Sequence, residues 1–300
     1  MALIWDIDTD ASMDVAELLQ YVEDNVDLHD DESLAASAGA FRALANNRSF
    51  VLDAYHKELT DFWNGSRVNA YQAQSIQIGN SRRFFVRANI WLPIPQGVRT
   101  EALQKRLYSY DLPHDHNFSF LTVGYFGEGY QTDIYEYDHE QCIGFMDEVA
   151  QCSFLGRYQL KPGRVMMYRQ GKDIHIQYPP DEVSLSLNLM GRDLDLGWDQ
   201  QYIFDVENDR LIGGAGDLVS NRLYLIEAAG YVGDDETIGI LHDLVTAYDC
   251  DKTKARAIQS LDRLSPSEGE RARARAPASI RKLASLPIIT GNYARSYSGA

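Results

Sequence analysis

Along the first part of the chain, apolar residues recur at helical spacing. Val15, Leu18, Leu19 and Val22 fall at i, i+3, i+4 and i+7, which predicts an amphipathic helix of three or four turns, with Ser12 or Asp10 placed to cap it. A longer stretch from Leu34 to Trp63 keeps the same period. Its middle, Asn46-Asn47-Arg48-Ser49, is where it is expected to break in two, because Asn and Ser offer the backbone competing local hydrogen bonds. Asn64-Gly65-Ser66 then supplies a C-cap signal. The pattern predicts a helical region over residues 1–80.

From Arg82 the texture changes to short runs rich in Tyr, Phe, Val and Ile, separated by Gly, Pro and Asp turns. The expected strands are Phe84–Leu92, His114–Phe126, Tyr130–Tyr137, Arg157–Leu160, Arg164–Tyr168, Ile174–Tyr178, Ser184–Met190 and Gln201–Val206. Such a series predicts a barrel or jelly roll over residues 81–208. Gly127-Glu128-Gly129 offers the positive φ angles of a tight hairpin between the second and third strands. Helical spacing returns over 209–300, in Leu223, Leu225 and Ile226, then Ile238, Leu241 and Val245, then Ala255, Ile258 and Leu261, with Asp235 and Asp251 where N-caps are wanted. Gly213-Gly214-Ala215-Gly216 lacks a Walker lysine and reads as a flexible connector opening that region. Ser265–Pro277, where Arg271, Arg273 and Arg275 alternate with Ala, reads as an exposed linker or loop. The fold class expected is α+β: a central antiparallel β-barrel flanked by helical segments.

Composition narrows the partners. The 300 residues carry a formal net charge of −16, which argues against nucleic acid and anionic membrane surfaces. No stretch approaches the length of a membrane span, and the opening lacks a basic start followed by an apolar core, so neither insertion nor export is expected. Three widely spaced cysteines with no CxxC pair fit a reducing, cytoplasmic setting. Residues 1–60 hold 13 acidic against three basic side chains, and Ser265–Ala300 hold six basic against two acidic. The acidic start is either a solvated helical face or one side of a contact with the basic tail, within a chain or across a homodimer.

The candidate chemistry lies in Pro113-His114-Asp115-His116-Asn117-Phe118-Ser119-Phe120, which holds two of the seven histidines. In a strand, a spacing of two points both imidazoles to one face, with Phe118, Phe120 and Thr122 continuing along it. A metal needs a third ligand. It is offered downstream, where a Pro162-Gly163 turn leads into a strand, a second turn leads to Asp173-Ile174-His175-Ile176, and Ser184-Leu185-Ser186-Leu187-Asn188-Leu189 alternates polar with apolar. If His175 faces the interior, it completes a facial site with His114 and His116. Otherwise the three are separate core or surface histidines. His139 reads as a loop residue, and His29, His56 and His242 as structural ones. Of the many tyrosines, Tyr135 and Tyr168 are the candidates to position a substrate or supply a proton. The polar face of Ser184, Ser186 and Asn188 lines a pocket if it turns inward and is merely solvated if it turns outward.

This order of HxH, hairpin, Pro-Gly turn, histidine and alternating strand resembles the cupin superfamily, and within it looks most like the cysteine or thiol dioxygenase branch. The likeness spans residues 113–190. It implies Fe(II) held by His114, His116 and His175, with Zn or Ni as alternatives, and dioxygen with a small amino-acid-like or peptide-derived substrate as partners. A typical cupin has glutamate four residues after the second histidine, where this chain has Phe120. If the glycine hairpin pairs Phe126 with Tyr130, Glu136 falls opposite Phe120 and can serve as a fourth ligand; a one-residue register change presents Asp133 or Tyr135 instead. The HxD pattern of 2-oxoglutarate oxygenases is not met, since His116 holds that position. A cupin that binds a small molecule without catalysis, and a zinc or nickel isomerase or hydrolase, use the same residues. Arg157, Arg164 and Arg169 lie near the expected barrel, but none is assigned to a substrate carboxylate.

Overall fold

The structure, a computed structural model, describes residues 3–65, 70–72, 74–97, 99–192, 200–215 and 218–290. The chain divides into two units, Met1–Tyr137 with Ser153–Leu194, and Asp138–Cys152 with Asp195–Ala300. In chain order the first unit holds β1 (Leu3–Asp6), α1 (Val15–Asn25), α2 (Asp31–Ala36), α3 (Ala38–Asn46), α4 (Phe50–Trp63), β2 (Ala70–Gln72), β3 (Ser75–Asn80), β4 (Phe84–Trp91), α5 (Glu101–Tyr108), β5 (Phe120–Phe126), β6 (Gln131–Glu136), β7 (Ser153–Gln159), β8 (Arg164–Tyr168), β9 (Asp173–Gln177) and β10 (Ser184–Gly191). The second holds β11 (Tyr202–Asp205), β12 (Arg210–Gly214), α6 (Leu218–Val232), α7 (Asp235–Ala247), α8 (Asp251–Leu264), α9 (Pro266–Arg275) and α10 (Ala278–Leu283).

Among the described residues, the first unit forms two antiparallel sheets, in strand orders β1-β8-β5-β10-β4-β3-β2 and β7-β6-β9. The expected α+β class with antiparallel sheets is thus met. Strand alternation sorts the large sheet into two faces. Val86, Ala88, Leu121, Val123, Leu187 and Leu189 pack outward against Leu18 and Val22 of α1, Phe41 and Leu44 of α3 and Val51 of α4. The opposite face presents Phe85, Trp91, Phe120, Met166, Tyr168 and Met190, which form a second, aromatic-rich core with Tyr130 and Ile134.

The glycine corner also departs from expectation. Gly127 and Gly129 do take positive φ angles, 74° and 84°, yet they do not close a hairpin. Strand β5 pairs with β8 and β10, whereas β6 pairs with β7 and β9, so the corner carries the chain from one sheet to the other. Phe120 therefore faces Tyr168 and Met190, and Glu136 faces Ser153 and Asp173.

The N-terminal helices follow the spacing, with local differences. Helix α1 is capped by Asp14 rather than Ser12 or Asp10, because only Asp14 stands three residues before Glu17 and closes a reciprocal capping box. The break before α4 falls where expected: Asn47 Oδ1 accepts from the Ser49 amide and hydroxyl at 3.1 and 3.0 Å. Strands β1, β2 and β3 lie within the stretch read as helical. Ser66 of the expected C-cap lies outside the described residues.

In the second unit, Gly213 and Gly214 belong to β12 rather than to a connector, and Gly216 lies outside the described residues. Most of the expected linker is helix α9, started by Pro266, with Ala272 fully buried and Arg273 paired to Asp262. Helices α6, α7 and α8 pack through Leu223, Leu241, Ile258 and Leu261. No helix among the described residues is long and apolar enough to cross a membrane.

Candidate metal centre

His114 and His116 precede β5 rather than lying within it. The segment that carries them runs beside β9. The His114 amide donates to the His175 carbonyl at 3.2 Å and the His175 amide returns a bond at 2.9 Å, while the Gly171 amide donates to the His116 carbonyl at 2.9 Å. This irregular ribbon, with Pro113 lacking a donor, still keeps residues 114 and 116 on one side. Asp115 turns the other way, buried, and accepts from the Tyr137 hydroxyl.

The three rings converge through their Nε2 atoms. His175 Nε2 stands 3.0 Å from that of His114 and 3.2 Å from that of His116, and one ligand atom from each residue lies within 4.8 Å of the others. The Leu112 carbonyl, 2.9 Å from His114 Nδ1, can only accept, so Nδ1 carries the proton and Nε2 presents its lone pair. Burial lowers the pKa of His114 against the raising effect of that bond. Burial, followed by the nearness of His114 and Arg87, holds His116 well below the ordinary histidine value. His175 is depressed in the same way by burial and its two histidine neighbours. Neutral imidazoles whose lone pairs meet at this range repel unless a cation lies between them. The set therefore fits a metal ion, and an all-imidazole set suits iron, zinc, nickel or copper.

The same shifts set a pH dependence for the metal-free protein. Because burial holds all three histidines below the ordinary value of 6.5 in the folded chain, the unfolded chain binds protons that the folded chain does not. This contribution to stability is present above about pH 6.5 and is lost as the pH falls from there toward the lowered folded values. Thermal midpoints of metal-free protein are expected to drop over that window, and a His114/His116/His175→Gln variant to show a shallower fall.

Aromatic rings wall the site. Phe118 and Phe120 each stand 5.0 Å from His116, and Tyr168 lies edge-on to His175 at 4.3 Å while stacking on Phe120. Burial, then the nearness of Tyr130, pushes the Tyr168 hydroxyl well above its usual range, so it keeps its proton. The structure thus brings Tyr168 to the histidines but not Tyr135, which packs on Phe154 and falls on the other face of β6 from Ile134, the residue registered with His175. Glu136 shares the histidine face of β6 and β9, but its carboxylate meets Arg169 at 3.2 Å and Lys172 at 3.5 Å and lies outside the histidine cluster. Asp133 is held by Arg157 and Tyr178. The three arginines noted from the sequence are paired with carboxylates: Arg157 with Asp133, Arg164 with Asp6, and Arg169 with Asp173.

Sequence reasoning missed Arg87. In β4, Phe84, Val86 and Ala88 face the helices, so Phe85, Arg87, Asn89 and Trp91 face inward. The Arg87 charge adds to burial and His114 in lowering the pKa of His116, and partly offsets the rise that burial imposes on Tyr130. The signal is a charged residue, Arg87, alternating with Asn89 along one face of a strand whose other face is apolar. The face of β10 left open by the sequence also resolves: Ser184, Ser186 and Asn188 are buried opposite the leucines that meet the helices.

No protein-family model and no curated protein sequence matches the chain. Solved structures with a likeness include a hydroquinone 1,2-dioxygenase from a Sphingomonas species with 4-hydroxybenzoate bound, at 9% identity and TM-score 0.27, over 42% of this chain and 69% of that one. A structure described as DMSP lyases shares 13% identity at TM-score 0.26, over 44% and 52% of the two chains. A cupin domain from Bordetella pertussis shares 12% identity at TM-score 0.23, over 41% of this chain and 99% of its own.

Proposed function

We propose that the chain is a mononuclear non-haem iron oxygenase of the cupin type, acting on a small amino-acid-like or peptide-derived substrate that chelates the metal. The observation that carries this reading is the convergence of three neutral imidazoles on one point with no carboxylate among them. His114, His116 and His175 would hold the iron, which when bound would supply the positions at which a two-donor substrate and dioxygen meet. The chain's own residues do the rest. The Arg87 guanidinium pairs with the substrate's carboxylate beside His116. Phe118 and Phe120 exclude water from the His116 side. Tyr168, protonated and against His175, holds a proton at Oη for the substrate.

Oxygen uptake tests the reading. Iron-loaded protein is expected to consume dioxygen on addition of a chelating amino or thiol acid, and Arg87→Gln to raise the KM for that acid about tenfold or more with a smaller change in kcat. Uptake that is absent across such acids, or equal in a His116→Ala protein, contradicts it.

A further inference from the structure

The inner face of the large sheet is graded along its strands. Cross-strand register lines up Phe85, Met190, Phe120 and Tyr168 in one row, against which the His116 and His175 rings lie. Two residues along each strand, Gln77, Arg87, Asn188 and Thr122 form the next row. Two further on come Ser75, Asn89 and Ser186. At about 3.3 Å per residue, that last row lies roughly 13 Å along the strands from the first.

Three of the polar side chains in these two rows, Ser186, Thr122 and Asn188, are tied to one another. The Trp91 indole donates to Ser186 Oγ at 2.9 Å, and the Ser186 and Thr122 hydroxyls donate to Asn188 Oδ1 at 3.2 and 3.3 Å. Ser75 Oγ and Asn89 Oδ1 differ. Both are buried without a hydrogen-bond partner among the described residues, in side chains that are 2% exposed. They belong to directly paired positions, so they sit side by side. Native proteins rarely leave such groups unmet, and two adjacent ones on the face that bears the histidines point to a ligand. None of the residues named in the three rows is acidic, and Arg87 stands in the middle row, so a cationic ligand end there is disfavoured.

We propose that Ser75 and Asn89 bind the far end of the substrate, which is then an acid long enough to run from the histidines past Arg87. Its far end is an uncharged hydrogen-bonding group such as a hydroxyl, carboxamide or urea. This rests on the reading of the histidines as the chelating end.

Three amino acids of matched length test it: citrulline, with a neutral urea; arginine, with a cation; and 2-aminooctanoate, with no hydrogen bonds to offer. By calorimetry, citrulline is expected to bind about tenfold or more tighter than either. Ser75→Ala/Asn89→Leu is expected to erase that advantage while leaving 2-aminooctanoate unchanged. Ser75→Ala alone, which removes one atom, is expected to weaken citrulline selectively even if the double variant fails to fold. Arginine or 2-aminooctanoate binding as tightly as citrulline, an advantage that survives Ser75→Ala and the double variant, or no binding of citrulline overturns the proposal. Iron content measured on the same samples separates the two readings. A chain without iron that still ranks the three ligands this way upholds the subsite and contradicts the oxygenase; an iron-loaded chain that does not rank them contradicts the subsite alone.

Discussion

His175→Ala protein is expected to purify without stoichiometric metal and to bind added Fe(II) more than about 100-fold more weakly than the parent chain. His175 is the shared vertex of the cluster, 3.0 Å from one partner nitrogen and 3.2 Å from the other. Removing it leaves two imidazoles on an irregular segment, and changes one step further from a metal already cost 10–100-fold. The strand itself should survive, because the bonds that tie residue 175 to His114 are between backbone atoms. Circular dichroism should therefore match the parent while metal analysis does not. Normal metal content in this variant would mean that the three nitrogens converge for some other reason.

Gly129→Ala is expected to be the most damaging single substitution in the first unit. An added Cβ would stand 1.9 Å from the Leu160 carbonyl oxygen, at a residue whose φ of +84° disfavours any side chain. Strain in that region costs on the order of 1–3 kcal/mol before the collision is counted, so a loss of about 3 kcal/mol or more is expected, a large share of the stability of an ordinary domain. Gly39→Ala, in α3 with open space around it, is the control and is expected to be neutral or to stabilise by up to about 1 kcal/mol. Denaturant melts of the two variants read this directly. A Gly129→Ala protein as stable as the parent would show that the corner between the sheets tolerates rearrangement.

That corner also marks where sequence reasoning stopped. Helical spacing located α1 and the break before α4, since both depend on residues within a few positions of each other. The pair Gly127 and Gly129 signals positive φ, but positive φ serves a turn between sheets as well as a hairpin within one. Which strand β5 meets is decided by partners more than 40 residues away, Tyr168 and Met190 among them. The mispaired hairpin carried a false neighbour with it, placing Glu136 opposite Phe120 when it faces Asp173.

The histidine site was legible in outline because the spacing of two in His114-Asp115-His116 survives even in an irregular ribbon. Its walls were not. Telling Tyr168, against His175, from Tyr135, on the far face of β6, requires knowing which face of each strand turns inward. Arg87 shows the same limit: its place in the alternation of β4 can be read, but that its charge acts on His116 follows only once the sheets are assembled.

The most direct test of the centre is electron paramagnetic resonance of the anaerobic, iron-loaded protein exposed to nitric oxide. The parent chain is expected to give an iron–nitrosyl signal in proportion to its iron, shifted on addition of a chelating amino acid and absent from His116→Ala. A protein that excludes iron or gives no nitrosyl signal, or a His116→Ala variant that keeps the full signal, would contradict a three-histidine iron centre.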